Sequence, residues 1–340
     1  MQDRIERKRL AILKLLADGD AVGSAAITGQ LEAQGHEISE RTVRFHLLAL
    51  DRDGFTESNG RKGRRITEKG RLELSKARVY EKVGFLTAKI DQLTFRMKFD
   101  RRRREGTVVV NASLLESRFL ERACPLMRRV FEAGYSMGTL MTVFAAGEKA
   151  GELVVPEGYV GIGTVCSVTL NGILLAEGIP TTSRFGGLLE LHRGRPERFV
   201  AIINYDGTSL DPLEIFIKSG MTDYTGATEG GDGLIGAGFR EVPAASRERV
   251  VALAEELKQV GLGGFMCVGW PGQPLVGIPV NEGVVGAVVM GGLNPVAILE
   301  EHGIGIQSRA LSGLVDYARL FPYQELEKHV RVRCRASRTA

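Results

Sequence analysis

The sequence predicts an α+β chain made of two modules. A small basic helical module comes first, and a larger glycine-rich module of mixed α/β character follows. The first 105 residues contain 24 Lys and Arg against 16 Asp and Glu, whereas residues 106–340 contain 21 against 25. Glycine is distributed in the opposite sense, with 9 residues in the first part and 34 in the second. We place the modules at residues 1–78 and 79–330.

Composition excludes several broad classes of protein. The chain has 340 residues, of which 44% are apolar and 25% charged, an ordinary globular balance that excludes wholesale disorder. No apolar run approaches the roughly 18–20 residues of a membrane helix, so no membrane partner is expected. The basic but acid-containing N-terminus indicates a mature helix and not a signal peptide. The four cysteines lack metal-ligand spacing, so we expect a reduced cytoplasmic protein without metal or cofactor.

Three helices are predicted in the first module. Arg4–Ala17 carries an apolar face and is followed by Gly19, and Ser24–Ala33 begins at a favourable N-cap. The third helix begins after Ser39, also a favourable N-cap. Its apolar stripe consists of Val43, Leu47 and Leu50, and its polar side carries Arg41, Thr42 and Arg44.

A basic hairpin follows these helices. Asn59-Gly60 is a strong turn signal, and the tip carries Arg61, Lys62, Arg64 and Arg65 without an acid among them. Three helices and a hairpin form the order of a winged helix-turn-helix, whose third helix enters the major groove of DNA. Three-helix modules also dock on proteins, but the cationic tip favours double-stranded DNA. The residues assigned to DNA are Ser39, Arg41, Thr42, Arg44, Arg61, Lys62 and Arg64.

Residues 68–90 are predicted to be helical and to connect the modules. The segments 93–100 and 106–115 are predicted to form strands around Arg101–Arg104, which we interpret as a solvated turn in preference to a phosphate contact. Ser113 is predicted to cap a helix that Pro125 kinks or breaks near Cys124.

The larger module alternates apolar runs with turn signals. Residues 158–180 are predicted to form a hairpin around Asn171-Gly172, and 198–205 a buried strand. Asp211 is predicted to cap a helix with Pro212 at its first position, before a glycine-rich loop over 221–239. A helix is predicted over Ser246–Val260. The segment 284–303 predicts a strand, a Gly-Gly turn and a helix capped by Asn294.

Short repeats indicate an internal duplication. Gly-Ile-Pro occurs at 178–180 and 277–279, and Gly-Gly-Leu occurs at 186–188 and 291–293. Two related lobes would enclose a cleft between them, which is a common place for a ligand.

Two segments of this module have the composition of an anion site. Gly291, Gly292 and Asn294 lie at a predicted helix N-terminus, where backbone N–H groups attract anions. A second segment combines hydroxyl groups, an arginine and glycines: Thr181, Ser183, Arg184, Gly186 and Gly187. Ordinary turns explain the Gly-Gly segments better than an anion site does, whereas a surface salt bridge and an anion site explain Arg184 equally well. Cys166 is predicted to be a buried hydrophobe and not a nucleophile, since no His is near it in sequence, and we expect no catalytic residue.

Four segments of the chain resemble the effector module of the archaeal nitrogen-regulation repressors called NrpR. They are residues 161–191, 206–217, 238–241 and 284–304, within a resemblance over roughly residues 80–325 behind a winged helix. The resemblance implies a mixed α/β effector domain and a repressor whose DNA affinity 2-oxoglutarate lowers. It implies that Cys166, Arg184 and the Gly-Gly segments lie near the effector cleft. Several members carry two effector modules, whereas this chain has room for one, and Arg101–Arg104 is more basic than the family leads us to expect.

The leading hypothesis is a homodimeric repressor of nitrogen-metabolism genes that binds a palindromic operator and is released by a small carboxylate such as 2-oxoglutarate. The alternative is an enzyme that acts on a small carboxylate and is fused to a winged helix. A protein-interaction module is a third reading, which the basic wing disfavours. If Arg184 holds the effector, an Arg184→Ala protein should bind operator normally but lose its response.

Overall fold

The computed structural model describes residues 2–17, 21–33, 38–74, 86–151 and 153–330. The chain divides into two compact units, residues 1–84 and 85–340. Much of the predicted connecting helix, over residues 75–85, lies outside the described residues, as do Gly19 and Gly35.

The first unit is a winged helix-turn-helix, as predicted. Its helices pack around a small apolar core that includes Ile12, Leu16, Ile27, Leu47 and Ile66. The two short strands pair in antiparallel register and form the wing. The elements are α1 (Gln2–Leu15), α2 (Ser24–Ala33), α3 (Glu40–Arg52), β1 (Thr56–Ser58), β2 (Arg64–Ile66) and α4 (residues 68–74).

The wing is held against the chain between α1 and α2. Val22 and Arg64 exchange backbone hydrogen bonds of 2.9 and 3.0 Å. Gly63 has φ +109°, and a Cβ there would lie 2.2 Å from the Val22 carbonyl oxygen. Glycine is therefore required at Gly63 by both the backbone angle and the close approach.

The second unit contains two main antiparallel sheets with helices packed against them. One sheet has the strand order β10-β9-β11-β13-β12, and the other the order β14-β4-β8-β5-β15. Its helices are α5 (Leu86–Arg96), α6 (Leu120–Glu132), α7 (Val168–Ala176), α8 (Pro212–Lys218), α9 (Tyr224–Glu229), α10 (Arg247–Gln259), α11 (Asn294–Glu301) and α12 (residues 326–330). Its strands are β3 (Phe99–Asp100), β4 (Glu105–Glu116), β5 (Leu140–Phe144), β6 (Lys149–Ala150), β7 (Leu153–Val154), β8 (Tyr159–Val165), β9 (Thr182–His192), β10 (Arg195–Asn204), β11 (Gly233–Pro243), β12 (Phe265–Val268), β13 (Val284–Met290), β14 (Ile306–Asp316) and β15 (Phe321–Pro322).

The two sheets belong to two lobes with the same order of elements. The first lobe runs β4, α6, β5, β8, α7, and its next strand, β9, pairs with β11 of the second lobe. The second lobe runs β11, α10, β12, β13, α11, and its next strand, β14, pairs with β4 of the first. Each lobe thus completes the sheet of the other. The lobes align Cys166-Ser167 with Gly291-Gly292, so the repeated Gly-Ile-Pro and Gly-Gly-Leu tripeptides are not equivalent positions.

The hairpin predicted around Asn171-Gly172 is wrong. Residues 159–165 form β8, but Val168–Ala176 form α7, in which Asn171 and Gly172 are both buried. A short apolar run does not distinguish a strand from a buried helix. A Cβ at Gly172 would lie 2.6 Å from the methyl carbon of Met97, so a larger residue there would require the Met97 side chain to move.

Four other predicted elements also differ. Residues 93–96 belong to α5 and not to a strand, and Ser113 lies inside β4 rather than at a helix N-cap, since α6 begins at Leu120. Pro125 lies within α6 without ending it. Residues 221–239 contain α9 and the start of β11, and β10 is an edge strand with alternating exposure, not a buried one. The cap at Asp211 and the helix after Ser246 are confirmed.

The run Arg101–Arg104 forms the predicted turn, now between β3 and β4, but Arg101 is only partly exposed. Its guanidinium makes ion pairs with Glu177 and Glu256, which also bind Arg249. The turn itself follows β3, and the N–H groups of Arg102 and Arg103 donate to Asp100. Only the latter three arginines of the run are exposed.

The Gly291-Gly292 turn packs against the opposite lobe, and a substitution there should destabilise the second unit. A Cβ on Gly292 would lie 2.4 Å from Asn111 Nδ2 and 2.7 Å from the Val165 carbonyl oxygen. We expect Gly292→Ala to lower the free energy of unfolding by about 1–3 kcal/mol, because backbone atoms would have to move. Gly305→Ala is the matched control, since a Cβ there has nothing within 4 Å. Thermal unfolding of both variants measures the difference, and equal melting temperatures would contradict this packing.

Candidate functional site

Residues at the two ends of helix α3 fix where it begins and ends, and its buried apolar face holds it against the core. Ser39 caps it, with its hydroxyl oxygen accepting from the Thr42 N–H at 3.3 Å, and Gly54 ends the turn beyond it with φ +77°. Val43, Leu47 and Leu50 are buried as predicted. The opposite side of the helix, which includes Arg41, faces solvent.

The side chains of α3 assigned to DNA differ in whether they already have hydrogen-bond or ion-pair partners within the protein. Arg41 is exposed and makes no ion pair with a described residue. The Arg44 guanidinium donates to Glu40 at 2.6 Å and to the Ser24 hydroxyl at 3.2 Å, which orients it at the helix N-terminus. Hydrogen bonds from Ser24 and Arg44 lower the pKa of Glu40. Ser39 and Thr42 bond to each other at 2.9 Å.

Some cationic side chains of the wing form ion pairs within the protein, and others are exposed to solvent. Arg64 Nε donates to Asp51 at 2.7 Å, and its side chain is largely covered, so Arg64 ties the wing to α3. Arg65 pairs across the hairpin with Glu57 at 2.6 Å. Lys62 is exposed at the tip. The Arg61 side chain lies outside the described part of the chain. The assignment of Arg64 to a phosphate stays a prediction, although Arg64 has a structural ion pair with Asp51 in the unbound protein.

A buried arginine lies where the two lobes of the second unit meet. Arg240, on β11 of the second lobe, is 1% exposed. Its Nε donates to Asn171 Oδ1 at 3.2 Å and its Nη2 donates to the Ser167 hydroxyl at 3.2 Å, both on or beside α7 of the first lobe. Asn171 in turn donates to the Ser183 hydroxyl at 2.9 Å. We call Arg240, Ser167, Asn171, Ser183 and Tyr205 the arginine cluster.

The hydrogen bonds of Arg240 all go to neutral groups. The third is to the Phe239 carbonyl oxygen at 3.4 Å, and the Tyr205 ring lies 5.4 Å from the guanidinium carbon. Arg240 makes no ion pair with any residue that the structure describes. A buried charge normally has a charged partner, because desolvating it alone is costly. The cluster therefore offers a fixed positive charge that no described carboxylate contacts directly, although the charge of Arg240 acts on the nearby Asp211.

Two acidic side chains lie beside the cluster. Asp211 caps α8 with hydrogen bonds to the N–H groups of Leu213 and Glu214. Burial, followed by the charge of Glu214, raises the pKa of Asp211 to about 6. Burial also raises the pKa of Glu214, whose carboxylate accepts from the Ala310 N–H. Burial raises the pKa of Tyr205 to about 12, so its phenol is a neutral hydrogen-bond donor at neutral pH.

A strained segment of β14 adjoins the same place. Leu311 has φ +52°, an unusual angle for a bulky residue, in the irregular register between Arg309 and Gly313. Its N–H donates to Asn111 Oδ1 at 3.0 Å. Strained backbone of this kind concentrates at functional sites.

Cys166 lies next to the cluster but is not activated. Burial raises its thiol pKa to about 12, although the Val168 and Leu311 N–H groups lower that pKa in part. The three histidines in the sequence of the second unit are engaged elsewhere: His192 with Asp232, His302 with Thr225, and His329 with Glu325. A thiol with this pKa is protonated at neutral pH and a poor nucleophile.

Arg184 lies on the other side of the same sheet from Arg240. Its Nη1 is 2.9 Å from Glu241 and donates to the Pro279 carbonyl oxygen at 3.0 Å. Glu241 follows Arg240 on β11, and successive strand residues face opposite sides. The Arg184 guanidinium thus already has a carboxylate partner. Its assignment to the effector stays a prediction.

The other predicted effector residues fall into two groups. Gly186 lies in β9 under the Tyr205 hydroxyl, which a Cβ would approach to 3.1 Å, and Ser183 belongs to the arginine cluster. The remaining residues contact protein groups. Thr181 donates to Ile179, Gly187 packs on β10, Gly291 and Gly292 are buried, and Asn294 bonds Tyr135, Gly236 and Tyr224.

The expected N-cap role of Asn294 is wrong. Leu293 is the N-cap residue of α11. The Asn294 side-chain amide instead donates hydrogen bonds to the Tyr135 and Gly236 carbonyl oxygens, at 2.9 Å each. The helix N-terminus is buried against the first lobe, because Gly292 contacts Val165 and Cys166.

Sequence reasoning missed Arg240 as a site residue. A signal was present, since the segment 238–241 is one of those that carry the family resemblance. An arginine between Phe239 and Glu241 in an apolar strand is also unusual, because Arg is rarely buried unless it is paired.

The described residues contain no group of three or more His, Cys, Asp or Glu side chains arranged to hold a metal ion. Among the same residues, no helix combines the length and apolar character needed to cross a membrane.

Two family models match the chain, and together they span most of it. The family described as NrpR regulatory domains NRD1 and 2 matches residues 83–321. The family described as the Ribonuclease R winged-helix domain matches residues 10–74. A solved structure, a nitrogen repressor-like protein from Methanococcus jannaschii, is similar with a TM-score of 0.60 and 30% identity, covering 71% of this chain and 99% of that chain.

Curated relatives carry the same family name. The chain is 36% identical to the global nitrogen regulator NrpRI of Methanosarcina mazei, covering 93% of this chain and 98% of that protein. It is 32% identical to the global nitrogen regulator NrpR of Methanococcus maripaludis and 31% identical to that of Methanocaldococcus jannaschii. It spans 54% and 56% of these two longer relatives.

A winged helix joined to a two-lobed α/β unit defines a DNA-binding transcription regulator with a separate regulatory unit. The chain belongs to the NrpR family of nitrogen-regulation repressors.

Proposed function

We propose that the chain represses nitrogen-metabolism genes and leaves its operator when a small dicarboxylate, such as 2-oxoglutarate, binds the arginine cluster. The observation that carries the proposal is Arg240, a buried guanidinium whose described partners are all neutral. A carboxylate of the ligand would give the Arg240 guanidinium a negatively charged partner through a bidentate contact.

The surroundings of Arg240 suit a keto acid. The Ser167 and Tyr205 hydroxyls and the Asn171 amide can bond a second carboxylate or a keto oxygen. These groups come from both lobes, so a bound ligand would affect the arrangement of one lobe relative to the other. A ligand changes DNA affinity only if it binds the two arrangements of the protein unequally.

Thermal unfolding of the full chain tests the proposal. A ligand that binds the native state alone raises the melting temperature by mass action. We expect a rise with 2-oxoglutarate, a smaller rise with succinate, which lacks the keto oxygen, and none with acetate. No rise with any carboxylate at millimolar concentration would remove the arginine cluster from effector binding.

Effector affinity should increase as the pH falls through about 6. Asp211 has a raised pKa of about 6, so it is ionised at pH 7.5 and protonated at pH 5. Glu214 and Arg240 are the charged groups that act on it, and Tyr205 and Cys166 stay neutral in this range. Protonation removes a negative charge beside a dianion, which should tighten binding roughly tenfold.

Calorimetry with 2-oxoglutarate from pH 5 to 8 measures this dependence. Asp211→Asn keeps a side chain able to cap α8 and should bind with nearly pH-independent affinity. If Asp211→Asn retains the full pH dependence, Asp211 is not the group responsible.

We infer that the repressor acts as a homodimer in the cytoplasm. One winged helix covers too little DNA for nanomolar specificity, and two-fold symmetry would match a palindromic operator. We expect the full chain to sediment as a dimer at micromolar concentration. A monomer that still binds its operator with nanomolar affinity would contradict this.

The alternative of an enzyme has less support. The Cys166 thiol is protonated at neutral pH, and no described histidine is paired with it. We propose that the arginine cluster binds its ligand without converting it. Unchanged 2-oxoglutarate after prolonged incubation with the protein is the expected result.

A further inference from the structure

Helix α3 presents an apolar patch to solvent at the middle of its outward face. Phe45 is 67% exposed and Leu48 is 58% exposed. With Arg41 and Arg52 they form one stripe, because residues spaced by four, three and four positions lie on one side of a helix. We call these four residues the outward stripe.

The outward stripe has the charge pattern of a DNA contact. Arg41 and Arg52 are exposed, and neither makes an ion pair with a described residue. The acids near the stripe are engaged, since Glu40 binds Arg44, Asp51 binds Arg64 and Asp53 binds Arg9. Cations at both ends of the stripe can reach phosphates, which leaves the apolar centre over the base edges.

We propose that Phe45 and Leu48 recognise thymine bases through their C5-methyl groups. The stripe is about 16 Å long, and the major groove that admits such a helix displays the thymine methyl group as its apolar feature. Aromatic and aliphatic side chains contact that methyl group, whereas they offer no hydrogen bond to the other base edges. The inference rests on the DNA-binding role of the winged helix and adds which side chains select bases.

The binding site is first obtained by selecting random duplexes with the full-length chain. Each thymine of the selected duplex is then replaced singly by deoxyuridine, which removes only the C5-methyl group. We expect about fourfold weaker binding at one or two positions in each half-site, the factor that corresponds to losing one buried methyl group.

The side chains are tested with the same duplexes. Phe45→Ala should bind the thymine duplex more weakly and should no longer distinguish thymine from uracil at one position, and Leu48→Ala should do so at a neighbouring one. Leu72→Ala is the matched control, because Leu72 is 58% exposed in the same unit but lies outside α3. It should keep the parental pattern. All three residues are exposed, so melting temperatures should stay close to that of the parent.

Three results would overturn the inference. Parental insensitivity to uracil at every position excludes methyl recognition, and so does full uracil sensitivity in both Phe45→Ala and Leu48→Ala. A change of oligomeric state in Phe45→Ala without any change in DNA binding would assign the patch to a second copy of the chain. Failure to select any duplex would instead contradict the DNA-binding role itself.

Discussion

Replacing Arg240 with methionine should abolish the response to 2-oxoglutarate and leave the protein folded. Removing one partner of a buried ion pair costs about 3–5 kcal/mol, which is a hundredfold or more in effector affinity. In the unbound protein Arg240 makes no ion pair with a described residue, so methionine removes chiefly the hydrogen bonds to Asn171 and Ser167, and the melting temperature should fall only modestly. Calorimetry and thermal unfolding measure the two effects separately.

Conservative and neighbouring variants sharpen this prediction. Arg240→Lys should recover only part of the affinity, because an ammonium group cannot reproduce a bidentate contact. Arg184→Ala is the comparison, since Arg184 already pairs with Glu241. Parental effector affinity in Arg240→Met together with loss in Arg184→Ala would return the site to Arg184, as the sequence suggested.

Removing the cations of the wing tip should weaken binding to all DNA sequences. Lys62 is exposed at the tip, and Arg61 precedes it in sequence. Each phosphate contact contributes about 0.9 to the slope of log affinity against log salt. Arg61→Ala combined with Lys62→Ala should therefore reduce that slope by about 2 and lower operator and random-sequence affinity by similar factors.

Two controls separate this effect from a loss of folding or of general charge. Lys258→Ala removes an exposed lysine of the regulatory unit, where Lys258 pairs with Glu255, and should not change the salt slope. Arg64→Ala breaks the ion pair with Asp51 and should lower the melting temperature of the first unit. An unchanged salt slope in the tip variant would exclude the wing from DNA contact.

The parts of the fold that were predicted correctly depend on local chemistry. The caps at Ser39 and Asp211 follow from a side chain that bonds an N–H two or three residues away, and that pattern is visible in sequence. The buried stripe of α3 follows from helical periodicity alone. The winged helix could therefore be predicted from the sequence.

The incorrect predictions concern residues whose structure depends on contacts with residues distant in sequence. Asn171-Gly172 has the sequence of a turn, but its burial beside Arg240 and Met97 requires a helix. Arg184 is not one of these errors, because its assignment stays a prediction, but its ion pair with Glu241, 57 residues away, could not be seen in the sequence. Arg240 becomes a candidate only when the lobes bring Ser167 and Asn171 to it. A single sequence does not contain that juxtaposition.

The most direct test of the account is operator affinity measured against 2-oxoglutarate concentration, for the parent chain and for Arg240→Met. We expect 2-oxoglutarate to weaken parental binding by roughly 5- to 150-fold, the range of an ordinary coupling free energy. We expect Arg240→Met to bind the same operator equally well at every 2-oxoglutarate concentration, with the affinity of the effector-free parent. Release of Arg240→Met at the parental 2-oxoglutarate concentration, or no release of the parent, would contradict it.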